Sequence, residues 1–311
     1  MIKALHTAPL ALAVMLTLAG CGSTTSAAGA AGHAIKITDD IHHTIVLQKP
    51  AHHIVVLEPS NAEIALDLGL KSELAGIDTS TIQSLPAPWS HQLHGIKSIG
   101  PSFPGINVEE VVAAKPDLVI TGTGVKGISS LAKFHIPVMT LSPTSIQGMY
   151  HDIMLVGRAT GKTARAQKII DQLKRQFRAI EAKVKTTKTR PTVFYDLGGL
   201  YTSGPHTFLN SIIDMAGARN VGASLSTKPW PLVTAEQVVR ANPDDILIDG
   251  GSGTSVSHEE HLAGFDSTTA VKTGHVYEVT QPSYLDEPAP GLVEGLKELI
   301  HLIHPTLRLN S

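Results

Sequence analysis

The sequence is poor in cysteine, in aromatic residues and in net charge. Its 311 residues include a single Cys, so no intramolecular disulfide can form and no CxxC metal or redox site exists. Lys and Arg number 25 against 27 Asp and Glu, a net charge of −2 with His neutral, and no long basic run occurs. Nucleic-acid binders carry a basic face, so the charge balance argues against that class of partner. Aromatic residues make up 4% of the chain, which makes the position of each one informative. What is plentiful is apolar: 42% hydrophobic residues, enough to argue against wholesale disorder. The length fits two domains at about 100–200 residues each.

The lone Cys has a context. Lys3, an apolar run from Pro9 to Leu18 and the small pair Ala19-Gly20 lead directly to Cys21. The run is too short to cross a bilayer as a helix of about 20 residues, but it has the length of a signal-peptide core. Leu18-Ala19-Gly20-Cys21 resembles a bacterial lipobox, which implies cleavage before Cys21 and a diacylglycerol on its thiol. Residues 1–20 are then a lipoprotein signal peptide. Residues 21–34, rich in Ser, Thr, Ala and Gly, form a flexible tether. The expected location is outside the cell membrane, anchored to it by lipid.

From Ile35 onward the pattern is α/β. Ile35 to Ile37 and Thr44 to Leu47 flank a polar turn and read as a hairpin, and His53 to Leu57 reads as a buried strand followed by a helix opened by Pro59. Further apolar runs, Leu118 to Ile120 and Pro137 to Leu141, complete an N-terminal lobe over residues 35–144. A helical linker over 145–188 follows, with a first helix at Ile146 to Ala159. From Lys162 to Lys185 there is no Pro or Gly, and Ile169, Leu173, Phe177, Ile180 and Val184 recur at spacings of three and four. That pattern predicts one amphipathic helix of about 24 residues, about 36 Å long. Alternation resumes after Pro191 with strands at Thr192 to Tyr195 and Asp245 to Ile248 and helices at Thr207 to Met215 and Gly291 to Ile303. These make a C-terminal lobe over residues 189–311. The expected fold is α/β, two Rossmann-like lobes with mainly parallel sheets joined by one long rigid helix.

The halves echo each other. Asn107-Val-Glu109-Glu110-Val111-Val112, running to Pro116 and the strand at Ile120, matches Thr234-Ala-Glu236-Gln237-Val238-Val239, running to Pro243 and the strand at Leu247. Each copy has a cap residue with Glu110 or Gln237 three positions on, the spacing of a capping box. Several motifs that suggest enzymes fail on inspection. Gly157 to Thr163 ends like a phosphate loop but is one residue short and lies between helices. No G-x-S-x-G occurs, and His258-Glu259-Glu260-His261 is not H-E-x-x-H. The 16 His include the doublets His42-His43 and His52-His53, whose adjacent side chains would point to opposite strand faces and cannot chelate together. They read as surface or turn residues.

The aromatics stand in loops. Phe103 precedes the first echoed helix and Trp230 the second; Tyr195 and Tyr201 flank a Gly-Gly loop, and Tyr284 lies in a Pro-rich segment. Open α/β sheets bind ligands at such places, so these five are the candidate contacts for a large, flat, partly apolar ligand.

The runs His53 to Glu63, Asn107 to Ile120, Tyr201 to Gly204, Trp230 to Glu236 and Pro290 to Gly295, in that order with the long helix between halves, resemble the helical-backbone (class III) periplasmic binding proteins. These are the substrate-binding components of ABC importers for cobalamin, ferric siderophores and haem. The resemblance covers roughly residues 35–305 and implies a ligand held between two lobes, little hinge closure and no catalysis. It implies ABC permease and ATPase subunits as partners, with no cofactor besides the transported ligand and no resident metal. It also implies that Glu109 and Glu236, one per lobe, dock onto permease arginines. Phe103, Trp230 and Tyr284 stand where cobalamin-binding members carry aromatic contacts. The eight Arg (158, 165, 175, 178, 190, 219, 240 and 308) lie outside the candidate cleft loops, which contribute chiefly Lys126 and Lys228. An anionic tricatecholate would need bases there, as would haem propionates. Cobalamin is therefore favoured over a neutral hydroxamate siderophore. A histidine-based zinc or manganese receptor and an exported two-domain enzyme are the readings from other classes.

Overall fold

Strand patterning decides the architecture. In the computed structural model, which describes residues 34–309, short strands alternate their side chains between two covered faces. Cys21, the signal segment and most of the tether lie outside the described residues. The N-terminal lobe begins with the antiparallel hairpin β1 (Ile35–Thr38) and β2 (Thr44–Leu47). It continues through β3 (Ile54–Val56), α1 (Pro59–Asp67), β4 (Leu74–Ile77), α2 (Thr79–Ser84), α3 (Val108–Ala113), β5 (Leu118–Thr121) and β6 (Val138–Thr140). Helices α4 (Ile146–Ala159) and α5 (Thr163–Val184) follow. The C-terminal lobe comprises β7 (Thr192–Asp196), α6 (Phe208–Met215), β8 (Arg219–Asn220), α7 (Val221–Leu225), α8 (Ala235–Ala241) and β9 (Asp245–Asp249). It ends with α9 (Val256–Glu260), α10 (Thr269–Thr273), β10 (Val276–Val279), α11 (Ser283–Asp286) and α12 (Leu292–Ile303).

Each lobe holds one four-stranded parallel sheet, ordered β4-β3-β5-β6 in the first and β10-β9-β7-β8 in the second. Numbered within its own lobe, each sheet reads 2-1-3-4, so the repeat seen in the sequence is a repeat of topology. Ile54 and Val56 of β3, and Val193 and Tyr195 of β7, face one core shared by both lobes. Their neighbours Val55 and Phe194 face separate outer cores, one per lobe. Burial on both faces is the expected state of a parallel sheet covered by helices.

Helix α5 buries Ala166, Ile170, Leu173, Phe177, Ile180 and Val184, alternating steps of four and three along one stripe, and exposes its opposite face. Its 22 residues span about 33 Å. Gly157 of α4 lets the two helices approach closely, since a Cβ there would stand 2.5 Å from the Ala166 methyl. The short phosphate-loop-like run is thus a helix–helix contact. A second connection joins the lobes. The buried Glu63 of α1 accepts a hydrogen bond from Gly291 N, and Ser60 N donates to Glu287 Oε2 at 3.1 Å. Besides the long joining helix, residues 284–291 pack back onto the N-terminal lobe. Among the described residues no helix is long and apolar enough to cross a membrane.

Candidate functional site

In both sheets the chain order reverses between the first and third strands, and the crevice beyond the carboxyl ends of those strands is where such sheets hold ligands. A cavity of about 670 Å³ lies there, between the lobes. The N-terminal lobe contributes Glu58 after β3, Gly122 and Thr123 after β5, and Leu141 to Thr144 after β6. The C-terminal lobe contributes Leu197 and Tyr201 after β7, His206 to Leu209 at the start of α6, Trp230, and Asp286 to Pro288.

Glu58 has the most constrained position. Its backbone adopts φ 79° and ψ 143°, a conformation that costs a non-Gly residue about 1–3 kcal/mol and persists where the surroundings hold it. Its N–H donates to Asp78 Oδ1 at 3.0 Å, and its C=O accepts from Ala62 N at 3.2 Å. Its carboxyl lies against Gly122, where any Cβ would come within 2.0 Å of Oε2. Burial, then the carboxyls of Glu287 and Asp78, push Glu58 up to about 7. Asp152, buried on α4 with neither carboxylate oxygen hydrogen-bonded, is pushed to about 8 by desolvation and by Asp40. Glu287 is raised by burial, and Asp286 by desolvation in the crevice and by the facing Asp249 carboxyl. Among the described residues, four carboxyl groups line the cavity together with His206, and neither Lys nor Arg does.

The five candidate aromatics separate. Tyr201 and Trp230 line the cavity and are 41% and 46% exposed. Their backbones are pinned to each other: Thr202 N donates to Pro231 O at 2.9 Å and Gly204 N to Pro229 O at 2.7 Å. Tyr195 does not lie in a loop; it is the fourth residue of β7, fully buried in the shared core on the face it shares with Val193. Among the described residues its hydroxyl has no hydrogen-bond partner, and burial, then Asp286 and Asp249, push the phenol well above its ordinary range. Tyr284 lies on α11 outside the cavity lining. Its hydroxyl donates to Ala87 O at 2.7 Å, and its ring meets Trp89 edge-on at 6.1 Å, which seals the seam between lobes. Phe103 is 84% exposed and also stands outside the cavity lining. Its loop is tied to the site by Ser102 Oγ, which donates to Asp78 Oδ2 at 2.9 Å.

The echoed helices start as expected with one difference. Thr234 closes a full capping box with Gln237, whereas Asn107 accepts from Glu109 N and Glu110 N without a return bond. The Glu110 carboxylate is drawn instead to Lys97 Nζ at 2.9 Å. Glu109 and Glu236 are exposed, and hydrogen bonding by its own N–H and by Thr234 lowers Glu236. Neither figures in an ion pair among the described residues. Lys126 and Lys228 lie outside the main cavity lining, Lys228 beside a smaller hollow on the far side of Trp230. The doublets His42-His43 and His52-His53 are exposed, the second pair donating both backbone N–H groups to Asp117.

The periplasmic binding protein family matches residues 54–282. This chain belongs to that family. A substrate-binding lipoprotein of an ABC transporter from Bacillus subtilis, itself uncharacterized, is 28% identical over 96% of each chain. A cobalamin-binding protein of Halobacterium salinarum is 29% identical over 86% of this chain and 73% of its own length. Among solved structures, a periplasmic solute-binding protein of Staphylococcus epidermidis, described as possibly iron-binding, superposes with a TM-score of 0.71 at 27% identity. That superposition covers 82% of this chain and 100% of the other. The architecture is that of a class III periplasmic binding protein.

Proposed function

We propose that this chain is an exported, lipid-anchored substrate-binding component of an ABC importer that captures cobalamin or a related corrinoid between its lobes. The observation that carries the choice of ligand is the make-up of the cavity lining among the described residues: four carboxyl groups held toward their neutral form and no Lys or Arg. Anionic chelates would find no cationic side chain there to offset their charge in a partly desolvated site. A neutral ligand fringed with amides would find carboxyl groups that accept, and when protonated also donate, hydrogen bonds. Tyr201 and Trp230 supply the flat apolar wall such a ligand packs against. The similarity to a cobalamin-binding protein supports the same reading. A neutral ferric hydroxamate is the second reading, favoured by the same charge and by the iron-binding description of the Staphylococcus structure. Haem finds Tyr201 and His206 as potential axial ligands in the lining but no cation for its propionates.

Delivery in this reading needs the anchor at Cys21 and docking through Glu109 and Glu236. Both glutamates stand in the first turn of capped helices, exposed, one on each lobe, available for charge-assisted contacts with permease arginines. Cys21→Ala should release the protein from membranes or block its processing; membrane retention with normal cleavage contradicts the anchor. The ligand reading is tested by titrating cyanocobalamin into the purified protein while following tryptophan fluorescence. Trp230 lines the cavity while Trp89 is buried and hydrogen-bonded to Asp67, so the change should come from Trp230. Trp230→Ala should weaken binding by about 1–3 kcal/mol and abolish most of the signal. Undiminished affinity in the folded variant would move the site elsewhere.

A further inference from the structure

Sequence reading placed Phe103 among the ligand contacts, yet it stands outside the cavity lining and is the most exposed large apolar side chain among the described residues, at 84%. The next is Leu232, at 73%, likewise outside that lining. We propose that Phe103 and Leu232 are the apolar anchors of two matched docking patches, completed by Glu109 and Glu236. They fit a membrane permease that presents one complementary cationic and apolar surface twice about a two-fold axis. The proposal rests on the docking reading above and adds to it the residues that would supply most of the contact energy.

Topology sets the two patches on corresponding loops. Helix α3 leads from the second to the third strand of the N-terminal sheet, and α8 does the same in the C-terminal sheet. Each lies on the outer face of its sheet, Val111 buried in one outer core and Val238 in the other. A helix feeding a parallel strand runs antiparallel to it, so both helices start at the carboxyl edge of the strands, the edge that bears the cavity. Phe103 stands four residues before the cap Asn107, and Leu232 two residues before the cap Thr234.

Single exposed apolar residues are ordinary and need no explanation. Here the two most exposed ones stand in corresponding loops, though not at the same offset (Trp230 matches Phe103 in spacing), each leading into a helix whose first turn carries an exposed glutamate in no ion pair among the described residues. Both also project from fixed backbone. Ser102, adjacent to Phe103, is held by the buried Asp78, while Pro231 O and Val233 N on either side of Leu232 bond Thr202 N and Leu200 O at 2.9 and 3.1 Å. An apolar side chain on a pinned backbone loses little freedom on burial, which suits it to anchor an interface. The exposed carboxylates call for cationic partners, and patches on corresponding loops of two repeated lobes call for a partner that repeats.

The test replaces both anchors, Phe103→Ser with Leu232→Ser, in the full chain. Uptake of radiolabelled cyanocobalamin by cells carrying only the variant is measured beside cyanocobalamin affinity of the purified protein. Uptake should fall at least tenfold with affinity unchanged within twofold. Normal uptake, or an affinity loss that accounts for the uptake loss, overturns the proposal. A parallel Glu109→Lys, Glu236→Lys variant separates the two ideas. Lost uptake in that pair with normal uptake in the serine pair removes the anchors and keeps the docking reading, while normal uptake in both removes each. A measurement independent of ligand identity places a photo-crosslinking amino acid at position 103, at 232, or at the exposed Phe134 as control. Positions 103 and 232 should both capture the same integral-membrane permease subunit in cells. Capture from Phe134 at equal yield, or none from either patch, contradicts the proposal.

Discussion

The two lobes repeat a topology without repeating a chemistry. Their sheets share the order 2-1-3-4, and their echoed helices start at the same edge. Yet the N-terminal lobe brings to the cavity a strained acid, Glu58, with a ring of small polar residues, whereas the C-terminal lobe brings Tyr201 and Trp230. Even the caps differ, because Lys97 claims Glu110 while Gln237 stays free to close its box. The lesson is that strand order fixes where a site forms, and loop residues beyond the strand ends fix what it binds. What both lobes hold in common is the core they share around α5.

The strongest challenge to that comparison is to remove the shared part. Phe177→Ala should cost about 3–5 kcal/mol in denaturant unfolding. Its ring packs in the core common to both lobes, so both should lose tertiary structure in one transition. Two separated transitions would show that the lobes are less dependent on α5 than their packing implies.

Next comes the strained acid of the N-terminal lobe. Glu58 is pushed from 4.5 up to about 7, so the folded state holds its proton more tightly than the unfolded chain does. The associated stability is complete below about pH 4.5 and is lost as pH rises through 7. Asp152 and Glu259, both pushed to about 8, extend the decline upward. Glu58→Gln, which keeps the protonated shape, should therefore gain stability relative to the unchanged protein as pH rises from 4.5 to 7.5. Parallel stability–pH curves for the two would contradict the environment assigned to Glu58.

The smallest effects concern the caps. Thr234→Ala removes the side-chain acceptor for Gln237 N, leaves the Thr234 backbone N–H bond to Gln237 Oε1, and should cost about 1 kcal/mol. Glu110→Ala removes an exposed pair with Lys97 and should cost at most a few tenths. Equal losses would erase the difference between the two helix starts.

Much of this fold was legible locally. The limits of α4 and, within a residue, of α5 follow from apolar spacing, and the echoed helix–Pro–strand units are the third-strand units of the two sheets. Strands β4 and β10 gave no clear signal because both are edge strands, short and partly exposed, interrupted by Gly76 and by Glu278. Tyr195 misled because its rarity suggested a role, while its place on a strand covered on both faces sends it into the core. The seam of Ser60 with Glu287 joins residues 227 apart in sequence, a pairing no local pattern announces. Glu58 did offer a signal: an acid set between a buried strand and the Pro that opens the next helix sits at the ligand edge of an α/β sheet.

The central claim is that a cavity lined by carboxyls, His206 and two aromatics, without Lys or Arg among the described residues, takes a neutral corrinoid. Its most direct test is equilibrium dialysis of the purified protein at pH 7 and fixed salt against cyanocobalamin and against a ferric tricatecholate. The account predicts saturable one-to-one binding of the corrinoid and no binding of the anionic chelate at the same concentration. Binding of the chelate with exclusion of the corrinoid would contradict it.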